Sequence, residues 1–167
     1  NTFFRFALAF SFFAVSSALL AEPTLEEVVV SARKVDESVQ DVPIAMSVFT
    51  SSDISDAGIE RPEDFIALTP NVFMAITVNV GDTLVTIRGL TSTRDAESNF
   101  AFVVDGVLQT NPNAFNRELL DIAQIEVLKG PQGALYGRNA TSGAILITTK
   151  APSEESESTA VIGMGVN

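Results

Sequence analysis

The sequence has no histidine, no cysteine and no tryptophan, and its cations are few. Without histidine and cysteine it cannot form a Ser-His-Asp or Cys-His catalytic centre, a disulfide, a zinc finger or an iron–sulfur cluster. Ten Lys and Arg against 21 Asp and Glu give a net charge of −11, which argues against a cationic nucleic-acid-binding surface. Its paired carboxylates lie in polar stretches that would not desolvate a catalytic acid. We therefore expect no enzyme activity, no cofactor and no metal site.

Residues 1–21 differ in composition from the rest of the chain. A single cation, Arg5, precedes an uncharged apolar stretch over residues 6–20, and small residues and Glu22-Pro23 follow. As a helix this stretch is about 22 Å long, which is too short for a bilayer core of about 30 Å. The layout is typical of a secretory signal peptide and predicts export, a short buried helix being the alternative.

The mature chain divides into three parts by composition. Residues 22–42 are an arm and linker, 43–152 a folded domain, and 153–167 a linker with one further strand. The arm is charged apart from Val28-Val29-Val30, so we expect it to be extended and mobile with a short strand-competent patch.

Short strands and helices alternate in the folded domain without a regular repeat. Apolar periodicity and turn residues predict strands over residues 44–50, 84–88, 102–104, 107–108, 125–128 and 143–149. Capping and stop residues predict helices over residues 52–57, 62–68 and 117–122, with Ser52, Gly58 and Pro62 as the boundary signals. This order predicts an α+β fold with a small mixed β-sheet and short helices.

Two stretches have patterns with a possible special role. The glycine-rich residues 130–139 lack the Gly-Lys-Ser/Thr of a phosphate-binding loop, so we do not predict nucleotide binding. In residues 158–167, apolar side chains alternate with small or polar ones. This is typical of a transmembrane β-barrel strand, although an ordinary half-buried strand shows it too. The pattern stops without a turn, which suggests a fragment whose further barrel strands are missing.

Five blocks follow one another along the mature chain. They are Glu26-Glu27-Val28-Val29-Val30-Ser31-Ala32, Val85-Thr86-Ile87-Arg88-Gly89, Val103-Val104-Asp105-Gly106-Val107, Ile125-Glu126-Val127-Leu128-Lys129-Gly130-Pro131, and Leu135-Tyr136-Gly137-Arg138-Asn139 leading to Gly143-Ala144-Ile145. Together they resemble the plug domain of TonB-dependent outer-membrane receptors over residues 25–152, and the first resembles a Ton box. One departure is Ser142, where the family often has a second glycine.

The resemblance implies that the chain is the plug, or gate, of an active transporter in the outer membrane of a Gram-negative bacterium. Its cargo would be a scarce nutrient such as a ferric siderophore, although haem, cobalamin and glycan receptors share this plug. The implied partners are TonB on the periplasmic side, the protein's own C-terminal β-barrel, and an external ligand such as a metal chelate, but no nucleic acid. The plug would lie inside the barrel with its N-terminus facing the periplasm. A stand-alone periplasmic binding or interaction domain of plug type is the alternative.

The resemblance also assigns candidate site residues. An extended segment can add as a strand to a partner's sheet, and the residues assigned to TonB contact are Glu26, Glu27, Val28, Val29, Val30 and Ser31. Guanidinium groups suit bidentate contacts with carboxylates of a barrel wall, and this role falls to Arg88 and Arg138, the alternative being solvation or local carbonyl contacts. The residues assigned to ligand-facing loops are Asn79, Asp82, Thr91, Ser92 and Arg94.

Overall fold

The computed structural model describes residues 27–31, 35, 37–76, 83–92 and 97–152. The expected signal peptide at 1–21 and the expected terminal strand at 158–167 lie outside these residues. Within the described ranges, no helix is long and apolar enough to cross a membrane.

Ten short strands and three short helices make up the described part of the chain. The strands are β1 (Val29–Val30), β2 (Glu37–Ser38), β3 (Met46–Thr50), β4 (Val72–Ile76), β5 (Thr83–Ile87), β6 (Leu90–Thr91), β7 (Phe100–Val104), β8 (Val107–Leu108), β9 (Ile122–Lys129) and β10 (Gly143–Thr149). The helices are α1 (Ser51–Ala57), α2 (Pro62–Ala67) and the single turn α3 (Gly133–Tyr136), and a 3₁₀ turn covers Pro112–Ala114.

The central feature is a five-stranded mixed sheet with the order β3-β9-β10-β7-β8. β7 and β10 run parallel, and every other neighbouring pair in this sheet is antiparallel. β4, β5 and β6 form a separate antiparallel sheet, and β1 pairs with β2. The predicted small mixed sheet with short helices is confirmed.

One face of the central sheet carries an aromatic core. Phe115 lies within it and meets the rings of Phe65, Phe100 and Phe102 edge-on, at centroid distances of 6.3, 5.2 and 5.0 Å. Edge-to-face pairs of this kind contribute about 0.5–1.5 kcal/mol each beyond the area that they bury. This core joins the sheet to α2 and to β4 and β5.

The opposite face of the same sheet carries a second apolar cluster. Successive side chains of a strand point to opposite faces, so Leu128, Val103 and Leu146 contribute to this second face. Val30 of β1 packs into the same cluster and is 1% exposed. The N-terminal end of the described chain is therefore part of the folded domain.

The capping of α1 differs from the expectation in one residue. Thr50, not Ser52, is the N-cap, because Asp53 then lies at the third helical position and closes a capping box with it. Asp53 Oδ2 accepts the Thr50 main-chain N–H at 2.8 Å, and hydrogen bonds from the side chain and backbone of Thr50 lower the pKa of Asp53. The predicted stop at Gly58 is confirmed, with a left-handed φ of 63°.

Two helix predictions need correction. The predicted helix at 117–122 is wrong: Asp121 has a left-handed φ of 52°, and Ile122 already belongs to β9. The main-chain N–H of Leu119 donates to the Glu60 carbonyl at 2.8 Å instead of to a helical turn. The second helix ends at Ala67, so Leu68 is not on its buried face and is 53% exposed.

Candidate functional site

The leading segment, residues 27–31, forms an antiparallel ladder with residues 37–39. Val29 lies opposite Ser38 and Val30 lies opposite Glu37. The main-chain N–H of Val39 donates to the Val28 carbonyl at 3.0 Å. The Val-rich patch is thus a strand, as its β-branched residues favour.

Side chains of the central sheet hold the same segment from β9. Gln124 Nε2 donates to the Val29 carbonyl at 3.0 Å, and the Ser31 main-chain N–H donates to Glu126 Oε1 at 3.0 Å. Both side chains project from the sheet face that carries Leu128, since they alternate with the residues of the aromatic core. Two polar residues of a largely apolar strand therefore hold the backbone of the leading segment.

The expectation of a mobile arm is wrong for Val28–Ser31. The sheet face supplies an apolar site for Val30 and polar partners for the adjacent backbone. Val29 is 48% exposed, so the segment shows one apolar side chain outward and one inward. Glu26, the first residue of the proposed Ton box, lies outside the described residues.

Glu126 is a carboxylate in an apolar setting. It is 2% exposed, lies on β9, and accepts hydrogen bonds from Ser31 and Gln124. Tyr136 of α3 lies close to it, and burial together with the Glu126 charge raises the pKa of Tyr136 to about 12. The site that receives the leading segment is therefore polar at its centre and apolar around it.

Arg88 lies beside Lys129 and Gly130. A methyl group on Gly130 would come within 3.1 Å of Arg88 Nη1. Burial lowers the pKa of Lys129, and the nearby Arg88 charge lowers it further. Lys129 Nζ donates to Ser47 Oγ at 3.1 Å, and within the described residues neither cation is paired with a carboxylate. Two like charges are therefore close together in an acidic chain.

Arg88 occupies an unusual backbone position. Arg88 and Gly89 form the β5–β6 turn with φ values of 50° and 82°. A two-residue hairpin with both φ values positive is the type that favours Asn, Asp or Gly at its first position. A long cationic residue in a left-handed conformation is uncommon, and such outliers point to a role for the side chain.

Arg138 is in a different environment. Its Nη2 contacts Glu97 Oε1 at 2.8 Å, and the two side chains are 83% and 56% exposed. Exposed pairs of this kind contribute at most about 1 kcal/mol. The structure brings Arg88 together with Lys129, and it pairs Arg138 within the chain.

Ser92, one of the residues assigned to ligand-facing loops, is buried in this structure. It is 6% exposed, and its Oγ lies 3.1 Å from the Val85 carbonyl and 2.9 Å from Asn99 Oδ1. Ser142 Oγ also contacts Asn99 Oδ1, at 3.1 Å. The Asn99 side chain therefore bonds both Ser92 and Ser142, and so joins the end of the β5–β6 hairpin to the turn before β10. Gly143, next to Ser142, has no room for a side chain, because a methyl group there would collide with the Leu128 carbonyl.

The other candidates for ligand-facing loops divide between exposed and undescribed positions. Thr91 is exposed, and its Oγ1 accepts from Thr86 at 2.9 Å. Asn79, Asp82 and Arg94 lie outside the described residues. In the described part of the chain, no group of three or more acidic, histidine or cysteine residues could hold a metal ion.

Sequence reasoning did not assign a role to Gln124, Glu126 or Lys129. The signal for the first two was present, since both are polar residues at alternate positions of the apolar run in β9. Their partner could not be read from the sequence, because Ser31 and Glu126 are 95 positions apart. Lys129 ends the same strand, and only the fold places it beside Arg88.

Comparison with known proteins gives a consistent result. A family model described as the TonB-dependent receptor plug domain matches residues 38–144. The pesticin receptor of Yersinia enterocolitica is 30% identical over 132 residues, which cover 78% of this chain and 19% of that protein. The vitamin B12 transporter BtuB of Vibrio vulnificus is 30% identical over 85% of this chain and 23% of that protein.

The solved structures agree with the sequence relatives. The ferric yersiniabactin uptake receptor FyuA from Yersinia pestis has a TM-score of 0.61 and 29% identity, over 67% of this chain and 18% of that one. The chain spans about a fifth of the length of the pesticin receptor it matches, at 19%. The catecholate import receptor Fiu of Escherichia coli matches with a TM-score of 0.54 and 26% identity, over 72% of this chain and 16% of that one. The chain therefore belongs to the TonB-dependent receptor plug domain family.

Proposed function

We propose that this chain is the gate of an active transporter in the outer membrane and that it carries the segment through which TonB opens the gate. The observation that carries the proposal is the leading segment, residues 27–31, a short strand held on the central sheet by a few bonds. TonB would bind from the periplasmic side, and the gate would lie inside the C-terminal β-barrel of the complete protein.

The way the leading segment is held supports a coupling role. Its β1 strand is only two residues long, and one side chain, Val30, provides most of its burial. The bond from Gln124 to the Val29 carbonyl contributes about 1 kcal/mol, and the bond from the Ser31 N–H to the Glu126 carboxylate about 1.5–3 kcal/mol. A two-residue strand is a short element to detach from the sheet, and its backbone can then pair with the edge of a TonB sheet.

The cations support a role in holding the gate against the barrel wall. Arg88 and Lys129 repel each other, and this repulsion is relieved when carboxylates of the wall lie between them. Arg138 is paired with Glu97, so it contributes less than the other two unless that pair opens. We therefore extend the anchoring role, first assigned to Arg88 and Arg138, to Lys129.

A ferric chelate is the proposed cargo. Two of the related proteins are named for iron carriers, the ferric yersiniabactin uptake receptor and the catecholate import receptor. A chelate of this kind would contact the loops near residues 79–83 and 91–99, with Thr91 as the exposed described candidate. The vitamin B12 transporter among the relatives is the reason to include cobalamin in the test.

The test is uptake by the complete receptor in a host that lacks its own iron receptors. Cells would be offered radioactive iron on a panel of siderophores, or cobalamin, with and without a functional TonB. We expect uptake of at least one ferric chelate that depends on TonB and is lost in Val29→Pro, because proline fixes φ and removes a main-chain N–H that would donate to the TonB sheet. Chelate binding to the surface should remain in that variant, and normal transport by it would contradict the proposal.

A further inference from the structure

Asp105 holds the last residue of β10 with both of its carboxylate oxygens. Oδ1 accepts the Thr149 main-chain N–H at 2.8 Å, and Oδ2 accepts the Thr149 hydroxyl at 2.9 Å. Asp105 lies in the β7–β8 turn, 44 positions before Thr149. The contact therefore joins the end of one central strand to the turn that follows its parallel neighbour.

The Asp105 carboxylate bonds to β10 just beyond the end of the ladder between β7 and β10. The register of these strands ends at Ile147 opposite Val104, and the Asp105 main-chain N–H adds one more bond to the Ile147 carbonyl at 2.9 Å. Beyond this point β7 turns into the hairpin, so Thr149 has no partner residue in β7. The Asp105 side chain supplies the missing acceptor.

The other side of the same strand end is also held. Thr149 lies opposite Ile122 after an irregularity in the register between Thr148 and Thr149. The next residue, Lys150, donates its main-chain N–H to the Asp121 carbonyl at 2.7 Å. The strand end is thus bonded from both neighbours at the point where the chain leaves the sheet.

The turn itself does not require a carboxylate. Asp105 and Gly106 have φ values of 47° and 78°, and a two-residue hairpin of this type accepts Asn or Gly at its first position equally well. The turn alone therefore does not explain a side chain that reaches Thr149.

We propose that Asp105 is a positioning residue that acts through Thr149 to fix the trailing end of the gate while the leading segment is pulled. This inference rests on the proposed function, in which force enters at residues 27–31 and the chain beyond Pro152 continues into the barrel. Tension then runs along the backbone from the leading segment to the trailing end of β10. With its end clamped, β10 loads the ladders to β9 and β7 together instead of peeling from one end.

The test is single-molecule pulling of the complete receptor in a lipid bilayer through a thiol introduced as Glu27→Cys. Glu27 is exposed and precedes β1, so the applied force follows the proposed path. We expect the β7–β10 unit, residues 100–149, to unfold last, with a final extension of roughly 175 Å at about 3.5 Å per residue. The lifetime of this last unit under constant force is the quantity to compare.

Three variants test the contact between the Asp105 side chain and Thr149. Asp105→Gly keeps the left-handed turn and removes both acceptors, and it should shorten the lifetime of the last unit about tenfold. Asp105→Asn keeps an acceptor for the Thr149 N–H and a donor for its hydroxyl, so it should restore most of the lifetime. Asp56→Ala removes an exposed carboxylate of α1 as the matched control and should change nothing.

The outcomes distinguish a local effect of the Asp105–Thr149 contact, here called the clamp, from a general effect on stability. A shorter lifetime for the last unit alone, with the earlier extensions unchanged and rescue by Asp105→Asn, supports the clamp. An unchanged last unit in Asp105→Gly, equal weakening of every unit, or no rescue overturns it. The pulling measurement uses neither TonB nor cargo. Failure of the unaltered receptor to transport would therefore count against the proposed function without changing the interpretation of the unfolding lifetimes.

Discussion

The main-chain N–H of Ser31 donates to Glu126 Oε1 at 3.0 Å, although the two residues are 95 positions apart. This bond ties the leading segment to β9, the strand that ends at Lys129 beside Arg88. One strand therefore contacts the proposed TonB segment at its middle and carries at its end a cation, Lys129, for which we propose an anchoring role.

Removing the Gln124 side-chain amide should loosen the leading segment. Gln124→Ala deletes the 3.0 Å bond to the Val29 carbonyl, which is expected to stabilise the docked state by about 1 kcal/mol. The ratio of undocked to docked segment should then rise about fivefold. The measurement is the mobile fraction of a spin label at Glu27→Cys in the complete receptor. Gln109→Ala is the matched control, because Gln109 Nε2 bonds only the nearby Val107 carbonyl, and equal mobile fractions in both variants would contradict the prediction.

A methyl group on Gly130 should displace Arg88 and strain the backbone. Gly130 has a φ of +114° and its methyl would lie 3.1 Å from Arg88 Nη1, so Gly130→Ala should destabilise the domain by more than about 1 kcal/mol. Gly133→Ala is the control, since its methyl would meet nothing within 4 Å. Hydrogen exchange of the β9 amides in the complete receptor measures the effect. Equal protection in the two variants would mean that Arg88 is not held against Gly130.

Ser92 should matter for stability and not for ligand contact. Ser92→Ala removes one of two donors to the Val85 carbonyl, and Asn99 Oδ1 keeps its contact with Ser142. The expected loss in unfolding free energy is therefore about 1 kcal/mol. Thr91→Ala alters an exposed residue and should stay within about 0.5 kcal/mol of the parent. Urea unfolding of both variants is the measurement, and a larger loss for Thr91→Ala would reverse the assignment.

Tyr136 should make the stability of the folded domain sensitive to alkaline pH. Burial and the Glu126 charge raise its pKa to about 12, against about 10 in an unfolded chain. The unfolded chain therefore loses its phenol proton first, and stability that is fully present below about pH 10 is lost as the pH rises towards about 12. The check is the difference in alkaline unfolding between the receptor and its Tyr136→Phe variant. Identical alkaline profiles would contradict the raised pKa.

Local patterns predicted much of the fold because they depend on neighbours in sequence. The Asp105-Gly106 hairpin, the start at Pro62 and the stop at Gly58 each need a few adjacent residues. The leading segment was misjudged for the opposite reason. Its charged composition predicts exposure, whereas its burial depends on Gln124 and Glu126, which the fold brings to it.

Among the site residues too, features that depend on adjacent residues were predictable and features that depend on distant ones were not. Arg88 was assigned a role from its motif, but its neighbour Lys129 was not, because only the folded chain brings the β5–β6 turn close to the end of β9. Ser92 lies in a polar stretch of the sequence, yet it is buried and bonds to the Val85 carbonyl and to Asn99. Strand β4 was missed, since its sequence is bounded by no clear turn signal after Asn71 and has Ala and Met among its five residues.

The most direct test of the central claim is the affinity of a purified TonB periplasmic domain for the complete receptor and two variants. The account predicts measurable binding to the parent and loss of binding in Val29→Pro. It predicts about fivefold tighter binding to Gln124→Ala, since apparent affinity rises with the fraction of competent, undocked segment. The same affinity for all three proteins would contradict the claim that residues 27–31 are the docked segment that TonB takes up.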